Sequence, residues 1–349
     1  MPGDQSKGQS TQAARGQPVL VTGASGFIGG HLVRWLTAIG CRVSCPVRPT
    51  SRVDDLRSAG VRLIACDIAD RAALERAIAS SNARYVFHVA GLVRAMDPGD
   101  FMRVNAGGVE AVAQACAEQT DPPVLVLVSS LAAVGPSKGK PSLEGDPPAP
   151  VSQYGRSKFA GEQLALKYAD AVPITVVRPG IVFGAGDRGM VELFRLIARS
   201  GLHVFTGPDD RHVSLVAVAD LVECLVLAAE HGERLVPGTP GHGVYFAASE
   251  DISYVELGRT IARALGKPQP RSVRLPGWSM RTIGRLGDVM SRVRQRPAWV
   301  GSDKVHEILA GSWTCSSAKA RRQLGWSPAV PLADRLRETA QWYFDARWI

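Results

Sequence analysis

The stretch Val19–Leu32, VLVTGASGFIGGHL, decides the fold of this chain. It places glycines at 23, 26 and 29, directly after an apolar run suited to a strand and at the start of a helical pattern. Gly23 permits the tight turn, Gly26 lets the backbone approach a pyrophosphate, and Gly29 lets the helix pack closely on the sheet. The free N–H groups of the helix N-terminus would bind the phosphates. The spacing therefore predicts a dinucleotide site.

Short apolar runs alternate with helical patterns up to about residue 180. Predicted strands cover residues 18–22, 42–47, 62–66, 85–90, 124–128 and 174–177, and predicted helices cover 29–36, 70–79, 106–118 and 154–168. Such alternation, with strands of nearly continuous Val, Leu and Ile, predicts right-handed crossovers on a parallel sheet covered on both faces. We therefore predict an α/β fold with a Rossmann-type, doubly wound parallel sheet.

The regular alternation ends after Pro179, where Gly- and Pro-rich segments appear. We predict a dinucleotide-binding Rossmann domain over residues 18–180, with segments near 213–250 returning to it. A smaller C-terminal α/β substrate lobe is predicted over residues 181–349. Residues 1–17, rich in Gly, Gln and Ser and without an apolar segment, are predicted to be a disordered tail and not a signal peptide.

Composition and charge narrow the class of protein. Of 349 residues, 45% are hydrophobic and 21% charged, and no apolar run is long enough to span a membrane. Six cysteines without metal-ligand spacing predict a reduced, cytoplasmic chain that holds no metal. The net charge of +9 resides in residues 251–349, with 17 Lys and Arg against 8 Asp and Glu. This basic third could bind an anionic substrate or an acidic lipid surface, or be a solvated face. No nucleic-acid module is recognised, so no nucleic-acid partner is expected.

The end of the second predicted strand bears on the choice of cofactor. An acidic residue there would bind the ribose 2′-OH of NAD, but residues 46–52 read PVRPTSR. Arg48 and Arg52 would attract the 2′-phosphate of NADP, so we predict NADP, with NAD as the alternative. Asp67, just past the third strand, could meet the adenine amino group or could cap the helix that follows.

Tyr154 and Lys158 stand four residues apart in SQYGRSKFAGE, residues 152–162, so they share one helix face. A free tyrosine has a pKa of about 10 and is a poor base, whereas a nearby ammonium favours the phenolate. Proton exchange with a substrate hydroxyl or carbonyl then becomes possible. Ser129 and Ser130 follow the fifth strand, at the sheet edge where ligands bind, and a serine there could hydrogen-bond the reacting oxygen.

In this order, the motifs resemble those of the extended short-chain dehydrogenases/reductases, the NAD-dependent epimerase/dehydratase superfamily. The matching stretches run from about residue 18 to 230: TGASGFIGGHL, CDIAD, VFHVAG, VNAGGV, SSLAAVG, YGRSK, VRPGIVFGAGD and VAVADLVECLVLAAE. The later segment WTCSSAKARRQLGWSP is also similar to the C-terminal segment of these proteins. The resemblance implies an NAD(P)-dependent oxidoreductase that acts on CH–OH groups of a small-molecule substrate.

The resemblance also implies roles for individual residues. Ser130 matches the catalytic serine, Tyr154 the acid/base, and Lys158 its pKa partner and ribose ligand. The implied cofactor contacts are Gly23, Gly26, Phe27, Ile28, Gly29, Arg48, Asp67, Ile68, Ala90, Gly91, Tyr154, Lys158 and Pro179. Asn105 matches a family asparagine that is expected to be structural.

Three departures concern the branch of the family. Ile181, Val134 and Val213 stand where nucleotide-sugar epimerases usually have asparagine, tyrosine and arginine. The chain is more similar to the 3β-hydroxysteroid dehydrogenase and dihydroflavonol reductase branch, which implies a steroid-, flavonoid- or lipid-like substrate. The alternatives are a sugar epimerase or dehydratase with tightly bound NAD, and a non-catalytic dinucleotide sensor or scaffold. Sensors of that kind usually lack the tyrosine or the lysine.

Residues 278–296 combine an apolar stripe with arginines. The stripe is Ile283, Leu286, Val289, Met290 and Val293, and the arginines are Arg281, Arg285, Arg292, Arg294 and Arg296. Such a helix could rest on an anionic membrane surface. A lid that packs its stripe on the cleft is the favoured prediction. Family members often pair through two helices per subunit, so a homodimer is also expected.

Overall fold

A seven-stranded parallel sheet with helices on both faces forms the centre of the computed structural model, which describes residues 13–207, 211–298 and 300–349. The strands of the chain are β1 (Pro18–Thr22), β2 (Arg42–Val47), β3 (Arg62–Ala65), β4 (Tyr85–His88), β5 (Val124–Val128), β6 (Ile174–Pro179), β7 (Ile181–Phe183), β8 (Leu202–Thr206), β9 (His212–Ala217), β10 (Val244–Ala247), β11 (Glu250–Ser253) and β12 (Arg271–Leu275). The central order is β10-β6-β5-β4-β1-β2-β3. Because strand order reverses beside β1, a ligand crevice opens at the carboxyl ends there. The predicted Rossmann-type fold is confirmed.

The helices connect these strands and cover the sheet. They are α1 (Phe27–Ala38), α2 (Asp54–Ser58), α3 (Arg71–Ser81), α4 (Pro98–Phe101), α5 (Gly107–Ala117), α6 (Gln153–Leu166), α7 (Val191–Ser200), α8 (Val218–His231), α9 (Tyr254–Ala264), α10 (Gly277–Arg294), α11 (Ser302–Leu309), α12 (Ala318–Leu324) and α13 (Leu332–Asp345). A π-helical segment, Met102–Ala106, leads into α5, and a 3₁₀ turn, Leu131–Ala133, follows β5. No helix among the described residues is both long and apolar enough to cross a lipid bilayer.

Two apolar cores lie on the two faces of the central sheet. One joins the sheet to α1, α8 and α12, and the other joins it to α3 and α5. The strands are buried on both faces, which explains their continuous Val and Leu content. Trp326, just after α12, is fully buried and donates its indole N–H to the Asp220 carbonyl at 2.9 Å.

The smaller lobe is built from two further sheets. β11, β9 and β7 form one, β12 and β8 form the other, and a third core joins β9 to α7, α9 and α13. The lobe is α/β, as predicted. β10 and α8 belong to the central sheet and its core, and Ala320, Leu324 and Trp326 join that core from near the chain end. Segments after residue 180 contribute to the cores on both faces of the central sheet. The boundary at residue 180 between the two domains therefore stays a prediction.

The predicted disordered tail requires a correction for residues 13–17. Ala14 is buried, its N–H donates to a Glu230 carboxylate oxygen at 2.6 Å, and the Cys41 thiol donates to its carbonyl at 3.1 Å. These contacts hold the segment against α8 and against the turn that precedes β2. Residues 1–12 of the predicted tail lie outside the described residues.

The lid prediction for residues 278–296 is wrong. Leu286, Val289 and Val293 are exposed, and the only buried residue of α10 is Gly284. The helix packs on α11 and on the residues before it through the side that carries Gly284 and Gly287. A larger side chain at either glycine would collide with these neighbours. The apolar stripe therefore does not cover the cleft.

Candidate active site

The glycine turn between β1 and α1 is sterically closed to larger residues. Gly23 has φ of +70°, and a Cβ on it would lie 2.6 Å from the Ala90 nitrogen, at the end of the adjacent β4. A Cβ on Gly29 would lie 2.1 Å from the Gly23 carbonyl oxygen. Both distances are far below contact, so the turn and the close helix–strand approach require glycine. The predicted turn, strand and helix are all present.

The N-terminus of α1 fits a pyrophosphate. Gly26 is its N-cap, and no side chain accepts hydrogen bonds from the first turn, so these N–H groups are available to a ligand. Gly26, Phe27 and Ile28 line a cavity, and a Cβ on Gly26 would lie 3.1 Å from the Gly23 carbonyl. The residues at this end thus fit the phosphates of a dinucleotide.

This cavity has a volume of about 1620 Å³. It runs from the glycine turn past Ser130, Tyr154 and Pro179 into the smaller lobe. In the lobe, its wall is mainly apolar and aromatic and includes Leu193, Leu196, Val204, Tyr254, Ile308, Trp313, Trp342 and Trp348. The cavity joins the candidate dinucleotide end to the candidate proton-transfer residues.

Tyr154 lies in the first turn of α6 and faces Ser130 across the cavity. Ser152 caps the helix by accepting the Gly155 N–H at 2.9 Å, which fixes where the helix begins. The Ser130 hydroxyl is close enough to the Tyr154 phenol to influence its pKa. The Tyr154 ring packs edge-on against Phe101, with centroids 6.2 Å apart. The structure thus brings together the two hydroxyls that the sequence singles out.

Burial sets the charge state of Tyr154. It raises the pKa of the phenol to about 12. The Ser130 hydroxyl opposes this rise, and the nearby Glu307 carboxylate adds to it. The direction is opposite to the one expected from a neighbouring ammonium. The phenol is therefore protonated at neutral pH.

Lys158 lies one helical turn further along α6, behind the loop that follows β4. Its ammonium donates to the Val128 carbonyl at 2.8 Å, and a Cβ on Gly91 would lie 3.4 Å from its nitrogen. Burial lowers the lysine pKa to about 8, and the Glu162 carboxylate opposes that fall. Lys158 is thus close to Gly91, and burial and Glu162 act on its charge in opposite directions.

A buried carboxylate separates the roles of the two serines. The Ser129 hydroxyl donates to Glu162, which also accepts two hydrogen bonds from Arg178, at 2.9 and 2.5 Å. Ser129 is therefore committed to the core. Ser130 instead accepts the Ala132 N–H at 3.1 Å and lines the cavity, as expected for the serine that meets a substrate.

Asn105 holds the loop after β4. Its side-chain amide donates to the Leu92 carbonyl and to the Ser157 hydroxyl, both at 2.9 Å, and its oxygen accepts the Leu92 N–H at 2.7 Å. This links the loop to α6. The arrangement matches the structural role that the sequence predicts.

The adenosine end departs from the sequence prediction. Arg48 is exposed and does not line the cavity, whereas Arg34 and Arg52 do. Asp54 and Asp55, which the sequence analysis did not consider, also line it. Of the predicted arginine pair, Arg52 alone lines the cavity, where Arg34, Asp54 and Asp55 complete a mixed group of two cations and two anions.

Two other predicted contacts lie beside the cavity without lining it. The Asp67 carboxylate accepts the Ala69 N–H at 3.0 Å, and Asp70 is the N-cap of α3, so the alternative of an Asp67 helix cap is wrong. The Ile68 side chain points at Gly108, where a Cβ would lie 3.2 Å from it. At the end of β4, the Ala90 N–H donates to the Thr22 hydroxyl at 3.4 Å.

The helix α11 fixes the start of α6, and sequence reasoning missed it. Asp303 accepts the N–H groups of Gln153 at 2.7 Å and Tyr154 at 3.3 Å, and Glu307 accepts the Ser152 hydroxyl at 2.6 Å. The spacing of Asp303 and Glu307 places both on one helix face. That spacing was readable in the sequence, but their partner, 150 residues away, was not.

Comparison with known proteins identifies the family of this chain. The sequence pattern of the NAD dependent epimerase/dehydratase family matches residues 19–240. The chain belongs to this family. This confirms the predicted family and the prediction of an NAD-dependent oxidoreductase acting on CH–OH groups.

Relatives of this chain include both reductases and epimerases. A ceramide reductase of Caulobacter vibrioides is 33% identical over 334 residues, which cover 95% of this chain and 96% of that protein. A UDP-glucose 4-epimerase of Vibrio cholerae is 26% identical and covers 94% of this chain and 96% of that protein. The crystal structure of gox2253 has a TM-score of 0.77 at 24% identity, covering 95% of this chain and 99% of that one, and shows the same fold.

The glycine turn yields a matched pair of substitutions. We expect Gly29→Ala to lower the free energy of unfolding by about 1–3 kcal/mol, because its Cβ would collide with the Gly23 carbonyl. The neighbouring Gly30→Ala meets only an ordinary contact, 3.6 Å from the Ala24 oxygen, and should be neutral or stabilising by up to about 1 kcal/mol. Urea denaturation of both variants checks this. Equal stabilities would show that the close approach does not require glycine.

Proposed function

We propose that this chain transfers a hydride between NADP(H) and a secondary alcohol or ketone of a hydrophobic, lipid-like substrate. The observation that carries the proposal is the continuous cavity that joins the Ser130–Tyr154 pair to an apolar, aromatic wall. When bound, the dinucleotide supplies or accepts the hydride. The protein's own residues would place the substrate carbon and move the proton.

Tyr154 is suited to give a proton in the reductive direction. Since burial raises its pKa to about 12, the phenol holds its proton at neutral pH and can pass it to a carbonyl oxygen that becomes an alkoxide. Ser130, which lines the same cavity, would hydrogen-bond the same oxygen. Lys158, on the same face of α6, would hold ribose hydroxyls and supply positive charge beside the reacting groups.

The lining of the lobe supports an apolar substrate. Trp313, Trp342 and Trp348 contribute three large aromatic surfaces, and leucine, valine and isoleucine side chains line the same part of the cavity. Charged side chains line it as well, among them Arg188, which lies over the Trp348 ring. A long-chain or polycyclic ketone would bury its apolar area against these side chains. The 33% identity to a ceramide reductase over nearly the whole chain favours a lipid among the hydrophobic classes.

Arg34 and Arg52 support a preference for NADP. Both line the adenosine end of the cavity, where guanidinium groups bind phosphate through charge-assisted hydrogen bonds. Asp54 and Asp55 line the same end and would favour the ribose hydroxyls of NAD instead. The ratio of the affinities for NADPH and NADH decides whether the two arginines or the two aspartates dominate.

The proposed chemistry is tested with a substrate panel. Wild-type protein with NADPH should reduce long-chain keto lipids or ketosteroids, with oxidation of NADPH followed at its absorbance. We expect Tyr154→Phe to lower kcat by about 100-fold or more, because the proton donor is removed. Tyr168→Phe, just beyond the far end of α6, is the control and should retain full activity. Interconversion of UDP-sugars without net cofactor turnover would instead establish the epimerase alternative.

The cofactor preference is tested at Arg52. Arg52→Ala should raise the Kd of NADPH about tenfold, because a charge-assisted phosphate contact is lost, and should leave the Kd of NADH unchanged. Arg42→Ala is the control, since Arg42 is exposed and lies outside the cavity. Fluorescence titration measures the affinities of the wild type and of both variants for NADPH and NADH. Tighter binding of NADH than NADPH by the wild-type protein would overturn the NADP preference.

The lysine predicts a pH dependence. Its folded-state pKa of about 8 means that the ammonium is charged below this pH and lost above it, whereas the phenol stays protonated to about 12. We expect kcat/KM for NADPH to fall about tenfold per unit above pH 8, since this parameter reports the free protein. Lys304→Gln, which removes the lysine that lines the cavity, should keep the same break. A flat profile between pH 6 and 10 would contradict a role for the Lys158 charge.

A further inference from the structure

The helix α10 presents an apolar stripe to solvent. The exposed fractions of Trp278, Leu286 and Val293 are 69%, 64% and 74%, and Ile283, Val289 and Met290 are also exposed. Large apolar side chains clustered on one helix surface mark an interaction site and not an ordinary solvated face. Within the described part of the chain, no segment buries them.

The orientation of the helix directs this stripe away from the protein. At 100° per residue, the six apolar positions fall within an arc of about 140°, and Gly284, Gly287 and Asp288 lie on the opposite side. That opposite side makes the contacts, since a Cβ on Gly284 would lie 2.9 Å from Val305 and one on Gly287 would lie 2.1 Å from the Val300 oxygen. The Asp288 carboxylate also accepts the Ser302 N–H at 3.1 Å.

Positive charge borders the stripe on both sides. Arg281, Arg285 and Arg292 form a row along one edge and Arg294 lies at the other, at helical spacing. All four are exposed, and the one acidic residue of the helix, Asp288, faces the protein. In the described ranges, none of these arginines pairs with a carboxylate.

We propose that α10 docks in the plane of an anionic lipid membrane, with its stripe among the acyl chains and its arginines at the lipid phosphates. From Trp278 to Val293 the stripe is about 22 Å long, which suits a helix that lies along the interface. The charge favours a membrane over a second copy of this chain. If two copies paired through the stripe, the arginine rows of the two helices would face each other. No acidic residue of the helix would lie between them, so the like charges would repel.

The docking helix packs on elements that line the cavity. Val300, Lys304 and Ile308, from the segment that packs under α10 and from α11, line the cavity wall. A docked α10 would therefore hold that wall close to the lipid surface. This link to substrate uptake rests on the proposed lipid-like substrate, whereas docking itself does not.

The test is co-sedimentation of the full chain with phosphatidylcholine vesicles that contain or lack phosphatidylglycerol. We expect binding to the anionic vesicles, weakened by salt. Leu286→Glu/Val293→Glu should reduce the bound partition at least about tenfold by removing apolar insertion. Arg281→Glu/Arg285→Glu should have a similar effect through charge. The control Arg321→Glu/Arg322→Glu makes the same charge change on α12 and should bind like the wild type.

Three results would overturn docking through α10. One is equal vesicle binding by the stripe variant and the wild type, and another is equal loss in the α12 control, which would indicate binding by overall charge. The third is a dimer, seen by sedimentation velocity, that the stripe variant dissociates; the stripe would then be the interface between copies. Reduction of a short, water-soluble ketone by the stripe variant is measured in parallel. That activity separates failure of docking from failure of the proposed reductase.

Discussion

The buried carboxylate of Glu162 ties the helix that carries Tyr154 and Lys158 to the central sheet. It lies on α6 and accepts hydrogen bonds from Arg178 on β6 and from Ser129 at the end of β5. Glu162 and Arg178 are each about 5% exposed, so removal of either partner would leave a buried charge uncompensated, at a cost of about 3–5 kcal/mol. The position of the two candidate catalytic side chains therefore depends on this pair.

The same carboxylate also influences the charge of the site. Burial alone disfavours the Lys158 ammonium, and Glu162, one helical turn away, opposes that effect. His88 lies at the end of β4. Burial lowers the pKa of its imidazole to about 3, and the positive charge of Lys158 adds to this fall. The imidazole is therefore neutral at every pH where the protein would work. Lys158 remains the titrating cation beside the candidate proton donor, and His88 does not compete for its role.

Local sequence determines the parts of this site that could be predicted. The glycine turn and the Tyr154–Lys158 spacing each arise within a few residues, where backbone geometry alone dictates the outcome. The choice between Ser129 and Ser130 depends on which of them meets Glu162, and this requires the packing of α6 on β5. The sequence predicts a lowered pKa for Tyr154, because the neighbouring lysine is visible in the sequence and the burial of the phenol is not. Long-range contacts, such as that of Asp303 with the start of α6, leave no local pattern at either end.

The orientation of α10 shows how a small-residue pattern can decide what an apolar pattern leaves open. An amphipathic helix with arginines is compatible with both a lid and a membrane anchor, because both bury one face. Gly284 and Gly287, three residues apart, lie on the side opposite the stripe. Their Cβ positions are already filled by Val305 and by the Val300 backbone, so this side approaches the protein more closely than any bulky face could. Tight packing through the glycines thus forces the leucine and valine side chains outward, and a glycine pair opposite an apolar stripe is the sequence signal for that arrangement.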